Sequence, residues 1–187
     1  MKKAVVFLAE GFEEIEALTV VDVLRRGGVQ CLMCSLDEIM AKGAHNIEIK
    51  SDLTLESFND EEFDAVILPG GMPGSENLMN CENVRNTVIK FKEQNKLVAA
   101  ICAAPMVLGD CGILEGKKAA CYPGFEGYLK GAEVKEDIVV EDGNIVTSRG
   151  PATAIYFALK LVEKLQGKEK AEELKKGMML EFVENTL

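Results

Sequence analysis

Apolar and polar positions alternate along the chain in two periods, short continuous runs and longer helical stripes. KKAVVFLA is a valine-rich apolar run, as expected of a strand covered on both faces. FEEIEALTVVDVLRRGG follows with Ile15, Leu18, Val21 and Leu24 at helical spacing, and Gly27 and Gly28 stand as its C-cap. QCLMCSL is a second strand. Asp37 to Ser51 contains AKGAHNIEIKSD, whose turn residues and alternation predict a small β-excursion. FDAVILPGG is a buried strand ending in Pro-Gly-Gly, and ENVRNTVIKFKEQN an amphipathic helix. KLVAAIC is another apolar strand, with a short helix in AAPMVLGDCG after it.

KKAACYPG then starts a further strand and loop, and DIVVEDGNIVTS reads as a hairpin turning at Asp142-Gly143. PATAIYFALKLVEKLQG is a long helix with Pro151 in its first turn, and KEKAEELKKGMML a last one. No linker, repeat or low-complexity tract interrupts this order. It predicts one doubly wound α/β domain over residues 1–187, with a largely parallel sheet and ligands beyond the carboxyl ends of the strands.

Composition narrows the partners. The 187 residues are 48% hydrophobic and 28% charged, enough for a sizeable core without disulfides. With 21 basic and 31 acidic residues the net charge is −10. Such a surface repels phosphate, so neither nucleic acid nor a membrane is the expected partner. The apolar run from Ala4 to Ala9 is too short for a leader or a membrane span, and a cytoplasmic protein is expected. Six cysteines, Cys31, Cys34, Cys81, Cys102, Cys111 and Cys121, are then expected as free thiols.

Three strand ends carry candidate chemistry. In AAICAAP a strand runs into Cys102 and a helix begins directly after it, among Ala100, Ala103 and Ala104. That is the layout of a nucleophile elbow, where small neighbours relieve a crowded turn and a helix start favours thiolate. A buried, inert thiol is the competing reading. In LPGGMPG, Gly70 and Gly71 allow close approach and expose N–H groups that can form an oxyanion hole; a plain tight turn needs the same glycines. In LAEGFEEIE, Glu13, Glu14 and Glu16 suit a solvated helix start, and one of them can instead point inward. Glu16, flanked by Ile15 and Ala17, is the one singled out. Buried beside a thiol, its carboxyl would stay neutral and donate to a thiolate.

Other motifs carry less. Cys31 and Cys34 form a C-x-x-C within a strand, where positions three apart face opposite sides. No four-ligand zinc set, P-loop or G-x-G-x-x-G fingerprint is present, and no cofactor or metal is expected. The single histidine, His45, lies far upstream of Cys102, so a Cys-His protease or glutaminase lacks its base.

Together the segments LAEGFEEIEALTVVDVLRRGG, FDAVILPGGMPGSENL, VAAICAAPMVLGDCGIL and IVTSRGPATAIYFALKLVE resemble the DJ-1/PfpI (ThiJ) superfamily, in its DJ-1 branch. The resemblance implies a flavodoxin-like fold with helices on both sheet faces. It implies Cys102 as nucleophile, Glu16 as its protonated partner and acid/base, and Gly71 with the N–H of Ala103 as oxyanion contacts beside Gly70. It also implies a homodimer. The implied activity is that of a glutathione-independent glyoxalase or protein deglycase acting on small aldehydes and glycated groups. The alternatives are an oxidative-stress sensor or chaperone working through Cys102, and a PfpI-type cysteine peptidase. Two positions depart from the pattern. Tyr122, before Pro123, replaces a histidine of several relatives, and Ala103 stands where the protease-like branch has histidine. Tyrosine, with a pKa of about 10, is a poor base at neutral pH but can donate a hydrogen bond to substrate. His45 lies roughly where relatives contribute a cationic residue across the dimer; a solvated loop histidine is the competing reading.

Overall fold

A computed structural model describes residues 1–186. The chain runs β1 (Lys3–Leu8), α1 (Glu14–Arg26), β2 (Gln30–Ser35), β3 (Met40–Lys42), β4 (Glu48–Lys50), β5 (Leu53–Thr54) and β6 (Ala65–Leu68). It continues through α2 (Gly74–Asn80), α3 (Glu82–Glu93), β7 (Leu97–Ile101), α4 (Pro105–Asp110), β8 (Lys118–Ala119) and β9 (Glu133–Val134). β10 (Val139–Asp142), β11 (Ile145–Ser148), α5 (Ala154–Gln166), α6 (Lys168–Gly177) and α7 (Leu180–Thr186) complete it.

Seven strands form the central sheet in the order β10-β11-β7-β6-β1-β2-β5, parallel except for β10. Alternation along each strand feeds two cores. Ala4, Val6 and Leu8 of β1, with Ala99 and Ile101 of β7, pack under α1, α5 and α6. Val5 and Phe7, with Val98 and Ala100, pack under α2, α3 and α4. From β1 the chain proceeds outward through β2 in one direction, and from β6 in the other. The crevice at the carboxyl ends of β1 and β6 is therefore the topological switch point.

Several expectations are corrected. The inward stripe of α1 is Ala17, Val20, Val21 and Leu24, while Leu18 is only partly buried and Ile15 is 56% exposed. A strict three-residue spacing falls behind the 3.6-residue turn by about 60° per step, so Ile15 and Leu24 cannot share a face. α2, directly after Pro73, was not expected. β8 is only two residues long and pairs with β9 outside the main sheet. The last helix stops at Gly177, and Met179, at φ 62°, separates it from α7. The β-excursion is the antiparallel pair β3–β4, docked onto the start of α1 by Gly11 N–H to Lys42 O and Ala44 N–H to Phe12 O, both 2.8 Å.

Candidate active site

Cys102 follows the last residue of β7 and has a left-handed backbone, φ 65°. For a residue with a Cβ this conformation is costly, by about 1–2 kcal/mol, and it persists because neighbours hold both sides of the peptide. The Cys102 N–H donates to Ser148 O of β11 at 3.0 Å, and its carbonyl accepts the Tyr122 N–H at 2.7 Å. Ala104 N–H closes the turn on Ile101 O at 3.0 Å, and Pro105 opens α4. Ala103 and Ala104 are buried, so the turn has room for nothing larger than methyl groups. The elbow expected from AAICAAP is present.

Across the crevice lies the end of β6. A Cβ on Gly70 would fall 2.6 Å from Cys102 Cβ and 2.7 Å from Glu16 Oε2, which only glycine avoids. Gly71 has φ 90°, and a Cβ there would meet the Glu13 nitrogen at 2.4 Å. Crowding by the Cys102 and Glu16 side chains therefore demands glycine at position 70, while a positive φ and the backbone of residues 11–13 demand it at position 71. The Gly71 N–H and the Ala103 N–H both act on the Cys102 sulfur and favour its anion.

Glu16 is fully buried. One carboxyl oxygen, Oε2, accepts the Gly70 N–H at 2.7 Å. The other, Oε1, is buried without a hydrogen-bond partner, a position suited to a carboxyl that carries its own proton. Burial raises the Glu16 pKa to about 7; the Cys102 thiol and the Gly70 N–H oppose the rise, and the negative charge of Glu13 adds to it. Burial likewise pushes the Cys102 thiol up, and the charge of an ionised Glu16 pushes it further. The helix start does not dominate here, contrary to the simple elbow expectation of a depressed thiol. α4 is only six residues long, and the local electrostatics are those of two acids that resist sharing two negative charges. A thiolate at this site therefore requires that Glu16 keep its proton.

The remaining expected residues separate. Tyr122 is half-exposed beside the elbow. Its N–H binds the Cys102 carbonyl, and its ring lies over Gly150, where a Cβ would sit 3.2 Å from Cδ2. His45 sits on the β3–β4 loop, and its Nδ1 is 2.8 Å from Glu14 Oε2 and 3.6 Å from Glu13 Oε2. Its described contacts are with these acids and not with Cys102. Glu14, left as a solvated helix-start acid by the sequence reading, is buried and also accepts the His45 N–H at 2.7 Å. The pair of acids ahead of an apolar helix gave no sign of which would turn inward. Cys31 and Cys34 face opposite cores, and burial raises both thiols to about 12. All six cysteines are free.

A sequence profile described as the DJ-1/PfpI family matches residues 2–164. Protein DJ-1 homolog A of Arabidopsis thaliana is 43% identical over 183 residues, covering 96% of this chain and 47% of that protein, so the chain spans about half of that relative's length. Protein dj-1beta of Drosophila melanogaster is 40% identical, covering 97% of this chain and 98% of that one. Its crystal structure matches with a TM-score of 0.91 over 95% and 97% of the two chains. A Caenorhabditis elegans protein named glutathione-independent glyoxalase DJR-1.2 is 36% identical over 96% and 97% of the two chains. Oxidized DJ-1 of Toxoplasma gondii matches with a TM-score of 0.92 at 36% identity, over 96% and 98% of the two chains.

Proposed function

The chain belongs to the DJ-1/PfpI family, and from that premise we propose that it is a cysteine-dependent enzyme of small reactive carbonyls. It would act as a glutathione-independent glyoxalase that also takes early glycation adducts of amines and thiols. One observation carries this reading: a buried carboxyl that keeps its proton to about pH 7 stands beside an elbow cysteine faced by two backbone N–H groups. The C. elegans relative named as a glyoxalase supports it.

In this reaction the Cys102 thiolate adds to the aldehyde carbon of a 2-oxoaldehyde. A C–S bond forms, and the carbonyl electron pair moves onto oxygen, where the N–H groups of Gly71 and Ala103 take up the charge. Glu16 protonates that oxygen. As a carboxylate it then removes the hydrogen of the same carbon. The electron pair moves through the C–C bond onto the ketone oxygen, which takes up a proton to give an enediol. Glu16 returns its proton to the neighbouring carbon, while the hydroxyl of the first carbon gives up its proton to become the thioester carbonyl. The aldehyde carbon is oxidised to a thioester while the ketone carbon is reduced to an alcohol, so no external electron acceptor is needed. Water attacks the thioester, the C–S bond breaks, and a 2-hydroxy acid leaves. Tyr122, at the crevice wall, offers a hydrogen bond to the substrate.

A second reading rests on the oxidized T. gondii relative. In it peroxide converts Cys102 to sulfinic acid and the protein serves as a stress sensor or chaperone. A PfpI-type peptidase finds less support, because the single histidine, His45, contacts Glu14 and Glu13 and not Cys102. We assign the protein to the cytoplasm as a homodimer, one domain over residues 1–187, without nucleic acid or membrane as partner. No helix among the described residues is long and apolar enough to cross a membrane.

The test is hydroxy-acid production from methylglyoxal without glutathione. Wild type should turn over, while Cys102→Ser and Glu16→Gln should each fall by at least about 100-fold. Full turnover in Cys102→Ser overturns the mechanism. A folded but inactive wild type, oxidised by mild peroxide first at Cys102, selects the second reading.

A further inference from the structure

Two carboxylates and an imidazole meet at the start of α1. Glu13 precedes the helix, Glu14 opens it, and His45 arrives from the β3–β4 loop, thirty-one residues after Glu14. One ligand atom of each lies within 4.8 Å of the other two. His45 Nδ1 is 2.8 Å from Glu14 Oε2 and 3.6 Å from Glu13 Oε2. No four-ligand motif marks this set in the sequence, since the hairpin and not the spacing brings the third ligand. We propose that Glu13, Glu14 and His45 form a site for one divalent transition-metal ion of the Zn²⁺ kind, which pins the hairpin to the helix.

Zinc stands about 2.0–2.2 Å from an imidazole nitrogen or a carboxylate oxygen, so two ligands of a tetrahedral site lie about 3.4 Å apart. The separations of 2.8 and 3.6 Å straddle that value, and small side-chain rotations close the cage. The ion takes the place of the hydrogen on Nδ1, which the neutral ring can carry on Nε2 instead. Three protein ligands leave one position for water. The surroundings hold the ligands ready. Glu14 is buried, and its Oε1 accepts the His45 backbone N–H at 2.7 Å while Oε2 meets the imidazole. Outer contacts of this kind orient metal ligands. A Cβ on Gly43 would collide with the Glu14 carboxyl, so only glycine leaves that carboxyl its place. Glu13 points to a cation independently. Its side chain is 12% exposed, does not cap the helix and accepts no hydrogen bond among the described residues. Beside Glu14 it makes a shielded pair of negative charges, and even a protonated His45 leaves one of them unbalanced. A dication removes that excess. Imidazole among the ligands favours a transition metal, whereas Ca²⁺ and Mg²⁺ seek more oxygens than this site offers. All three ligands belong to one chain, so the site does not depend on whether a second copy covers the hairpin.

The test is a Zn²⁺ titration of the metal-stripped full chain against a chromophoric chelator, with no aldehyde present. Wild type and Cys102→Ser should each bind one Zn²⁺ per chain that His45→Ala binds at least about 10-fold more weakly. Glu13→Gln should weaken it likewise, and Mg²⁺ in about 100-fold excess should leave the zinc in place. Co²⁺ used instead of Zn²⁺ should give visible ligand-field bands without the intense ultraviolet transition of a thiolate ligand, because the site holds no sulfur. Equal binding in wild type and His45→Ala, a thiolate transition from the bound ion, displacement by Mg²⁺, or no binding at millimolar Zn²⁺ each overturns the proposal. Should Glu13→Gln fail to fold, His45→Ala decides alone, since His45 belongs to neither core and its loss leaves the packing intact. Binding is read without turnover, so this result and the fate of the glyoxalase reading are independent.

Discussion

Glu16 shows what a buried acid does to both stability and chemistry. Its carboxyl holds its proton to about 7 in the folded protein, against 4.5 for the unperturbed group. The folded value lies above the unfolded one, so the folded state binds more protons between these values and stability falls as pH rises through that window. At about 1.4 kcal/mol per unit, the loss amounts to about 3 kcal/mol above pH 7. Glu16→Gln should therefore resist urea better than wild type at pH 8 and unfold at nearly the wild-type midpoint at pH 4.5. An equal difference at both pH values would mean that packing, and not ionisation, separates the two proteins. In the proposed mechanism activity runs the other way, since the amide cannot carry the proton that moves from one carbon to the other. The left-handed Cys102 belongs to the same pattern, local strain held at the proposed nucleophile by Ser148 and Tyr122.

At the level of elements, the helix ends are instructive. Residues with positive φ follow α1 at Gly28, α3 at Asn95 and α5 at Gly167, types that tolerate that backbone. α6 has Met179 in the same role, where a side chain is strained and the glycine, Gly177, stands two residues too early to take the left-handed position. Its side chain is more than half exposed and contributes little packing. Met179→Gly should raise stability by about 0.5–1 kcal/mol, the balance of relieved strain against a more flexible unfolded chain, visible as a higher urea midpoint at unchanged slope. A lower midpoint would show that the methionine packs more than its exposure indicates. The rotated stripe of α1 matters more for function. By turning Ala17, Val20 and Val21 into the core, it carries Glu16 toward β6 and leaves Ile15 outside.

Across the whole molecule, a parallel sheet buried on both faces supplies the stability, and no covalent staple is used. All six cysteines are free, so unfolding temperature should not depend on reductant. Losing a disulfide costs about 2–5 kcal/mol, and in a chain of this size each kcal/mol moves the midpoint by about 2–4 °C, so even one bridge would be visible in a scan with and without reductant. The sheet also sets the address of the chemistry. β1, β6, β7 and β11 end at one edge, and the residues that meet there come from positions 13–16, 70–71, 102–103, 122 and 148.

The order of strands and helices, the elbow at Cys102 and the glycine pair at β6 were legible in the chain because each depends on near neighbours. Apolar periodicity selects strand or helix, and small residues flanking a strand end permit a sharp turn. Glu16 could be singled out from its apolar flanks and its place in the family pattern. Its proton follows from no local rule, because that depends on burial in the fold and on a Gly70 N–H fifty-four residues away. The fate of Glu14 and His45 was decided in the same way, by a hairpin folding back on α1. So was the rise of the Cys102 thiol, which a helix start alone would have lowered. Sequence determines what depends on periodicity and local backbone; the tertiary structure decides ionisation, because charge answers to solvent exclusion and to neighbours brought together only by the fold.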